Sequence, residues 1–172
     1  MSVIEIRRRV SNLLQLCSII EPPVDVEVLA ESQGFMVVRM PWDTDLAAAL
    51  IPHGPDGAVI GINKTHSRTR QRFSIGHELG HAFLHTKQRL HYDLPEKIFF
   101  RTTGPGAYAD PTETEANRFS AELLMPQALL RRDFESLSES EFTAAGLARR
   151  YGVSEIAMSY RLTNLGMGGT QR

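Results

Sequence analysis

Arg72-Phe73-Ser74-Ile75-Gly76-His77-Glu78-Leu79-Gly80-His81 is the stretch on which the reading of this chain turns. In a helix, residues four apart stand one above the other, so His77 and His81 direct two imidazoles at one point, the geometry a tetrahedral zinc requires. Glu78, one residue round from the first imidazole, reaches a water at that point rather than the metal, which is where metal-assisted hydrolysis needs its general base. Phe73, Ile75, Leu79, Ala82, Phe83 and Leu84 recur at mixed three- and four-residue spacings. That pattern predicts a largely buried helix with His77, His81 and Glu78 gathered on one side. Gly76 and Gly80 each cost about 1 kcal/mol relative to alanine inside a helix, so the pair asks for a reason such as close approach of another backbone or a ligand. The plainer alternative is a surface helix with two satisfied histidines.

Two imidazoles do not hold a catalytic zinc, and a third ligand must come from elsewhere. His85 stands eight residues beyond His77, about 12 Å along a straight helix axis, too far for bonds of about 2.0 Å to a shared ion. A better source is the run from Thr112 to Phe119, which follows Asp110-Pro111, a capping acid and a first-turn proline that announce a helix. Glu113 and Asn117 share a face of that helix at i and i+4, so the carboxylate could bind zinc while the amide hydrogen-bonds a ligand histidine. Glu115 points elsewhere. Acids in a first turn also complement the helix dipole without any metal.

Composition suits one intracellular domain. The 172 residues are 42% apolar and 23% charged, with a formal net charge of -1, enough apolar content for one core and no global field favouring nucleic acid or an anionic membrane. The single cysteine, Cys17, excludes an internal disulfide framework and reads as a core residue of the first helix. The start, Met-Ser-Val-Ile-Glu-Ile-Arg-Arg-Arg, has no apolar stretch and cleavage site after it, and no run approaches transmembrane length, which implies the cytoplasm.

Along the chain, residues 2 to 18 read as a helix with Val3, Ile6, Val10, Leu13, Leu14 and Cys17 inward. Asp25 caps a second helix that stops at Gly34. Phe35 to Met40, Leu46 to Ile51 and Ala58 to Ile62 read as short strands of a small antiparallel sheet, the last two joined by a turn at 53–57. Lys97 to Phe100 reads as a further strand, and Gly104-Pro105-Gly106 as a loop bordering a cleft. Phe142 to Arg150, a turn at Tyr151-Gly152-Val153-Ser154 and Glu155 to Asn164 have the form of a helix-turn-helix. The groove-facing positions would be Ser154, Glu155, Ala157, Ser159 and Tyr160, which lack a basic cluster although Arg149, Arg150 and Arg161 flank them. Direct nucleic-acid binding is therefore not expected, and the pair is expected to pack on the preceding core.

The stretch from Arg72 to His81, then Leu84-His85, then Glu113-Thr-Glu115-Ala-Asn117-Arg-Phe119-Ser-Ala-Glu-Leu-Leu-Met-Pro126 resembles the signature of the ImmA/IrrE family of metallo-endopeptidases. Pro22-Pro23-Val24-Asp25, Ile60-Gly-Ile-Asn63 and Tyr151-Gly-Val-Ser154 through Leu165-Gly166 resemble it too, in the same order, so the likeness covers nearly the whole chain. The resemblance implies an α+β, mostly helical zincin-like metallopeptidase domain with a small antiparallel-containing sheet at residues 1–140. It also implies a helix-turn-helix-like extension at 141–166 packed on that domain, and a tail at 167–172. His77 and His81 resemble the zinc ligands, Glu78 the general base, and an acid between Glu113 and Glu115 the third ligand. The gluzincin pattern of a glutamate followed four residues later by Asp or Asn favours Glu113, with Glu115 the alternative. Ser120 stands where the family more often has alanine, a change expected to leave the helix intact. The implied partner is a helix-turn-helix repressor encoded nearby, which the family cleaves or inactivates. Zn²⁺ is the implied metal, with Mn²⁺ as the alternative. Tyr92, Tyr108, His91 and Arg118 are all candidates to stabilise an oxyanion, and none is singled out. The chain ends soon after Leu165-Gly166, so no further C-terminal sensory domain is expected. The competing classes are a zinc-containing protein that sequesters a repressor without cutting it, and a DNA-binding regulator whose zinc is structural.

Overall fold

Ser2 opens the first helix by accepting the Glu5 amide at 3.2 Å, and α1 runs over Val3–Leu16 with Ile6, Val10, Leu13 and Leu14 buried. Val3 is exposed. The computed structural model describes residues 1–42, 46–53, 57–85, 91–93, 110–138 and 140–168. Asp25 caps α2, Val26–Ser32, through the amides of Glu27 and Val28 at 3.1 and 3.2 Å. Cys17 caps the end of α1, partly buried, its Sγ 3.5 Å from the Ser32 hydroxyl.

The sheet comprises β1 (Phe35–Met40), β2 (Ala48–His53), β3 (Gly57–Asn63) and β4 (His91–Asp93), in the order β1-β3-β2-β4. It is mixed rather than purely antiparallel. β2 folds back on β3 with His53 opposite Gly57, and β4 runs antiparallel along β2. The remaining side of β3 is taken by β1 in parallel, Phe35 opposite Ala58 through Met40 opposite Asn63. β2 covers one edge of β3 and β4 the outer edge of β2, so β1 takes the free edge of β3, and because it runs opposite to β2 it meets β3 in parallel. Apolar alternation cannot announce strand direction. The strand expected at 97–100 and the loop at 104–106 lie outside the described residues, and β4 has no counterpart among the expectations.

One face of the sheet, through Ala48, Leu50, Ile60 and Ile62, shares a core with Phe73, Ile75 and Leu79 of α3, Arg68–Leu84. Beneath α3 lies α4, Pro111–Leu124, which contributes Phe119, Leu123 and Leu124 to the same core, and α1 packs on α4 in turn. α5, Gln127–Ser136, follows after Pro126. α6, Ala144–Tyr151, and α7, Glu155–Asn164, form the helix-turn-helix-like pair, with Gly152 in the left-handed conformation at φ 66° and Ser154 capping α7 through the Ala157 amide at 3.2 Å.

Three polar ties hold this pair to the rest. Arg72 of α3 donates to the carbonyls of Gly152, Tyr151 and Val24 at 3.0, 3.3 and 2.9 Å, and burial lowers the pKa of its guanidinium. Asp133 of α5, 1% exposed, accepts from the Tyr151 hydroxyl at 2.7 Å and from Arg150 Nε and Nη2 at 2.9 and 3.2 Å. Arg161 of α7 pairs with the buried Glu122 of α4 and donates to the Met125 carbonyl at 3.0 Å. Leu147, Tyr151, Met158 and Leu162 join the common hydrophobic core. Among the described residues no helix is long and apolar enough to cross a membrane.

Candidate metal centre

Ser67 caps α3 through the Arg70 amide at 3.4 Å, and the helix then carries His77 and His81 one turn apart near its middle. Their rings lie 4.7 Å apart between centroids, and their Nε2 atoms are 3.0 Å apart. Asp110 caps α4 as its position before Pro111 predicts, accepting the Thr112 amide at 2.9 Å and the Thr112 hydroxyl at 2.7 Å. That start places Glu113 in the first turn, where the exposed amide end of the helix favours a carboxylate.

Glu113 faces the imidazole pair, with Oε2 3.5 Å from His77 Nε2 and Oε1 3.6 Å from His81 Nε2. His77, Glu78, His81 and Glu113 are all buried. His77 Nδ1–H donates to Asn117 Oδ1 at 2.9 Å. That bond fixes the tautomer and leaves Nε2 with a lone pair for a cation, the outer-shell arrangement typical of ligand histidines. Ligands about 2.0–2.1 Å from a tetrahedral ion stand about 3.3 Å from one another. The separations of 3.0, 3.5 and 3.6 Å bracket that value, so two imidazoles and a carboxylate fit a zinc-like ion with its fourth position open. Glu78, fully buried, is next to the first of them on α3.

The other candidates lie elsewhere. Glu115 pairs with the N-terminal ammonium of Met1 and is 3.7 Å from His85 Nε2, outside the group formed by His77, His81 and Glu113. His85 Nε2–H donates to the Thr112 carbonyl at 3.2 Å, so this third imidazole ties the end of α3 to the first turn of α4. Arg118 is exposed on α4. His91 and Tyr92 sit on the edge strand β4, and Tyr108 lies outside the described residues.

The two helices meet at the glycines. A Cβ on Gly80 would come within 2.9 Å of Ala116 Cα and 3.0 Å of its carbonyl oxygen, and one on Gly76 within 2.6 Å of Ser120 Oγ. The reason for two glycines in α3 is therefore α4, whose backbone at Ala116 and side chain at Ser120 come close where Glu113 reaches the histidines. Sequence reasoning missed two further contributors, His85 as an anchor for α4 and Ser120 as a donor to the Phe73 carbonyl at 2.8 Å. The four-residue spacing of the glycines is the signal that points to that seam.

Residues 30–163 match the family described as IrrE N-terminal-like domain. The chain is 32% identical over 110 residues to the radiation response metalloprotease IrrE of Deinococcus radiodurans, which covers 63% of this chain and 32% of that protein. It is also 32% identical over 107 residues to the uncharacterized immunity region protein 2 of Bacillus phage phi105, covering 62% of this chain and 60% of the phage protein. The matches thus span about a third and three fifths of those relatives' lengths. A solved structure of a Mycobacterium tuberculosis transcriptional regulator superposes with a TM-score of 0.60 at 16% identity, over 92% of this chain and 46% of that one, a likeness of fold.

Proposed function

This chain belongs to the IrrE N-terminal-like domain family, and from that membership we propose that it is a zinc-dependent endopeptidase that cuts a partner helix-turn-helix transcriptional repressor encoded nearby. The observation that carries the reading is the convergence of His77 Nε2, His81 Nε2 and a Glu113 oxygen within 4.8 Å of one another, with Glu78 buried beside them. His77, His81 and Glu113 would hold the metal, with Asn117 keeping the first imidazole in its ligand tautomer. Such an ion, when bound, acidifies water and polarises a scissile carbonyl. Glu78 takes the proton of the attacking water and delivers it to the leaving amine nitrogen.

The repressor partner is supported by the likeness to a phage immunity region protein. With such a partner the place of action is the cytoplasm. The α6–α7 pair serves as a packed extension that grips the partner rather than as a DNA reader. Two of its three flanking arginines, Arg150 and Arg161, already hold Asp133 and Glu122, which leaves little cationic surface for phosphate contacts.

The test is Glu78→Gln in the purified protein with its neighbouring repressor. Metal and partner binding are expected to persist while cleavage falls by roughly 10²- to 10⁴-fold, the usual worth of a positioned general base. Partner inactivation at the wild-type level would sink the proteolytic reading in favour of sequestration.

A further inference from the structure

We propose that Ser120 is a positioning residue for the metal site, its hydroxyl setting how far α4 slides along α3 and so where the Glu113 carboxylate stands. The proposal rests on the reading of His77, His81 and Glu113 as metal ligands. Ser120 is fully buried, and its Oγ–H donates to the Phe73 carbonyl at 2.8 Å. In α3 that carbonyl lies four residues before His77 and so already accepts the His77 amide. The hydroxyl is thus a second donor to a satisfied oxygen, and removing it strands no buried backbone group. Its effect is directional.

Glu113, Ala116, Asn117 and Ser120 share one face of α4 at i, i+3, i+4 and i+7. They meet, in turn, the His77 and His81 rings, Gly80, the His77 ring, and the turn from Phe73 to Gly76. The contact of Gly80 with Ala116 resists closer approach. The bond from Asn117 ends on a side chain. The bond from Ser120 ends on helix backbone. Sliding α4 by one residue's rise, about 1.5 Å, would break it and carry the Glu113 oxygens equally far from the imidazoles. Metal-ligand distances tolerate about 0.2 Å. Gly76 completes the arrangement, because a Cβ there would occupy space held by the Ser120 hydroxyl, 2.6 Å away.

The test titrates the metal-free full chain with Zn²⁺ against a chromophoric chelator, and records the visible spectrum of the Co²⁺ form as a reporter of ligand geometry. Ser120→Ala is expected to lower Zn²⁺ affinity about tenfold, the lower end of what outer-shell losses cost, and to alter the Co²⁺ spectrum while helix content stays constant. Gly76→Ala is expected to weaken binding as well, and Gly76→Ala with Ser120→Ala to recover part of that loss, because the added methyl then fills the space the hydroxyl vacates. Wild-type affinity and an unchanged Co²⁺ spectrum in Ser120→Ala overturn this proposal and leave the metal reading standing, even if the variant is less stable. A double variant no better than Gly76→Ala also overturns it. A wild-type chain that takes up no metal overturns both together.

Discussion

Glu113 and Glu115 stand two residues apart on α4, about 200° round the helix from each other, and therefore face different surroundings. Glu113 meets both imidazoles, whereas Glu115 meets the Met1 ammonium and lies near His85. We expect Glu113→Gln to weaken Zn²⁺ binding by more than the roughly 100-fold that an outer-shell loss can cost, and Glu115→Gln to leave it unchanged, both read by competitive titration. The reverse ranking would move the third ligand to Glu115. At this scale the sequence was informative because the deciding geometry is local: i and i+4 spacing puts His77 with His81, and Glu113 with Asn117, whatever surrounds them. His85 shows the limit. Axial distance along α3 removes it from the ligand set, but its bond to the Thr112 carbonyl depends on where α4 comes to rest.

For the pair α3 and α4, the close approach at Gly80 governs. Alanine there gains about 1 kcal/mol of helix propensity, but its Cβ would press on the backbone of Ala116, and overpacking of this kind costs about 1–3 kcal/mol. Gly80→Ala is thus expected to lower stability by up to about 2 kcal/mol in urea unfolding, and to shrink the extra stability that added Zn²⁺ confers. A variant more stable than wild type, with its zinc response intact, would mean that the seam is looser than described. Helix ends were legible here, because Asp25 and Asp110 each supply a side-chain cap where their residue type predicts it. Two elements were not. α5 is ten residues long, shorter than the window over which a helical period is read, and β4 is three residues long. That β1 pairs with β3, in parallel, rather than with β2 is a property of the assembled sheet.

Across the whole molecule, Arg72 and Arg161 bind the C-terminal helical pair to α3 and α4, which carry the candidate metal centre, and Asp133 binds it to α5. Tyr151 lies at the middle of this junction, fully buried, and burial, with its bond to Asp133, raises its pKa above the usual tyrosine value. An acid whose folded pKa is raised contributes stability that is whole below its unfolded pKa, about 10, and is lost as pH rises through the higher folded value. Tyr151→Phe should therefore cost about 1 kcal/mol at neutral pH, the worth of one buried hydrogen bond. The gap between variant and wild type should narrow as the pH passes 10 in a series of urea midpoints. A constant gap up to pH 11 would show that the hydroxyl does not titrate on unfolding as described. The exposed side of α7 carries Ile156 and Tyr160 at i and i+4, 64% and 48% exposed, an apolar rather than cationic surface.

The sequence by itself determined the pieces whose physics is local: the imidazole pair and Glu78 on one helix, the acid and amide on a second, the caps at Asp25 and Asp110, the turn at Gly152 between α6 and α7, and the family likeness carried by those motifs. Only the tertiary structure decided which acid meets the histidines, why Gly76 and Gly80 carry no side chains, how β1 runs, and that Ser120 bonds the backbone of α3. The division has one cause. Helix periodicity and capping act within a few residues of chain, whereas the candidate ligand set depends on Ala116 resting against Gly80 and Ser120 against Gly76, contacts between residues about 40 apart that form only when the two helices pack.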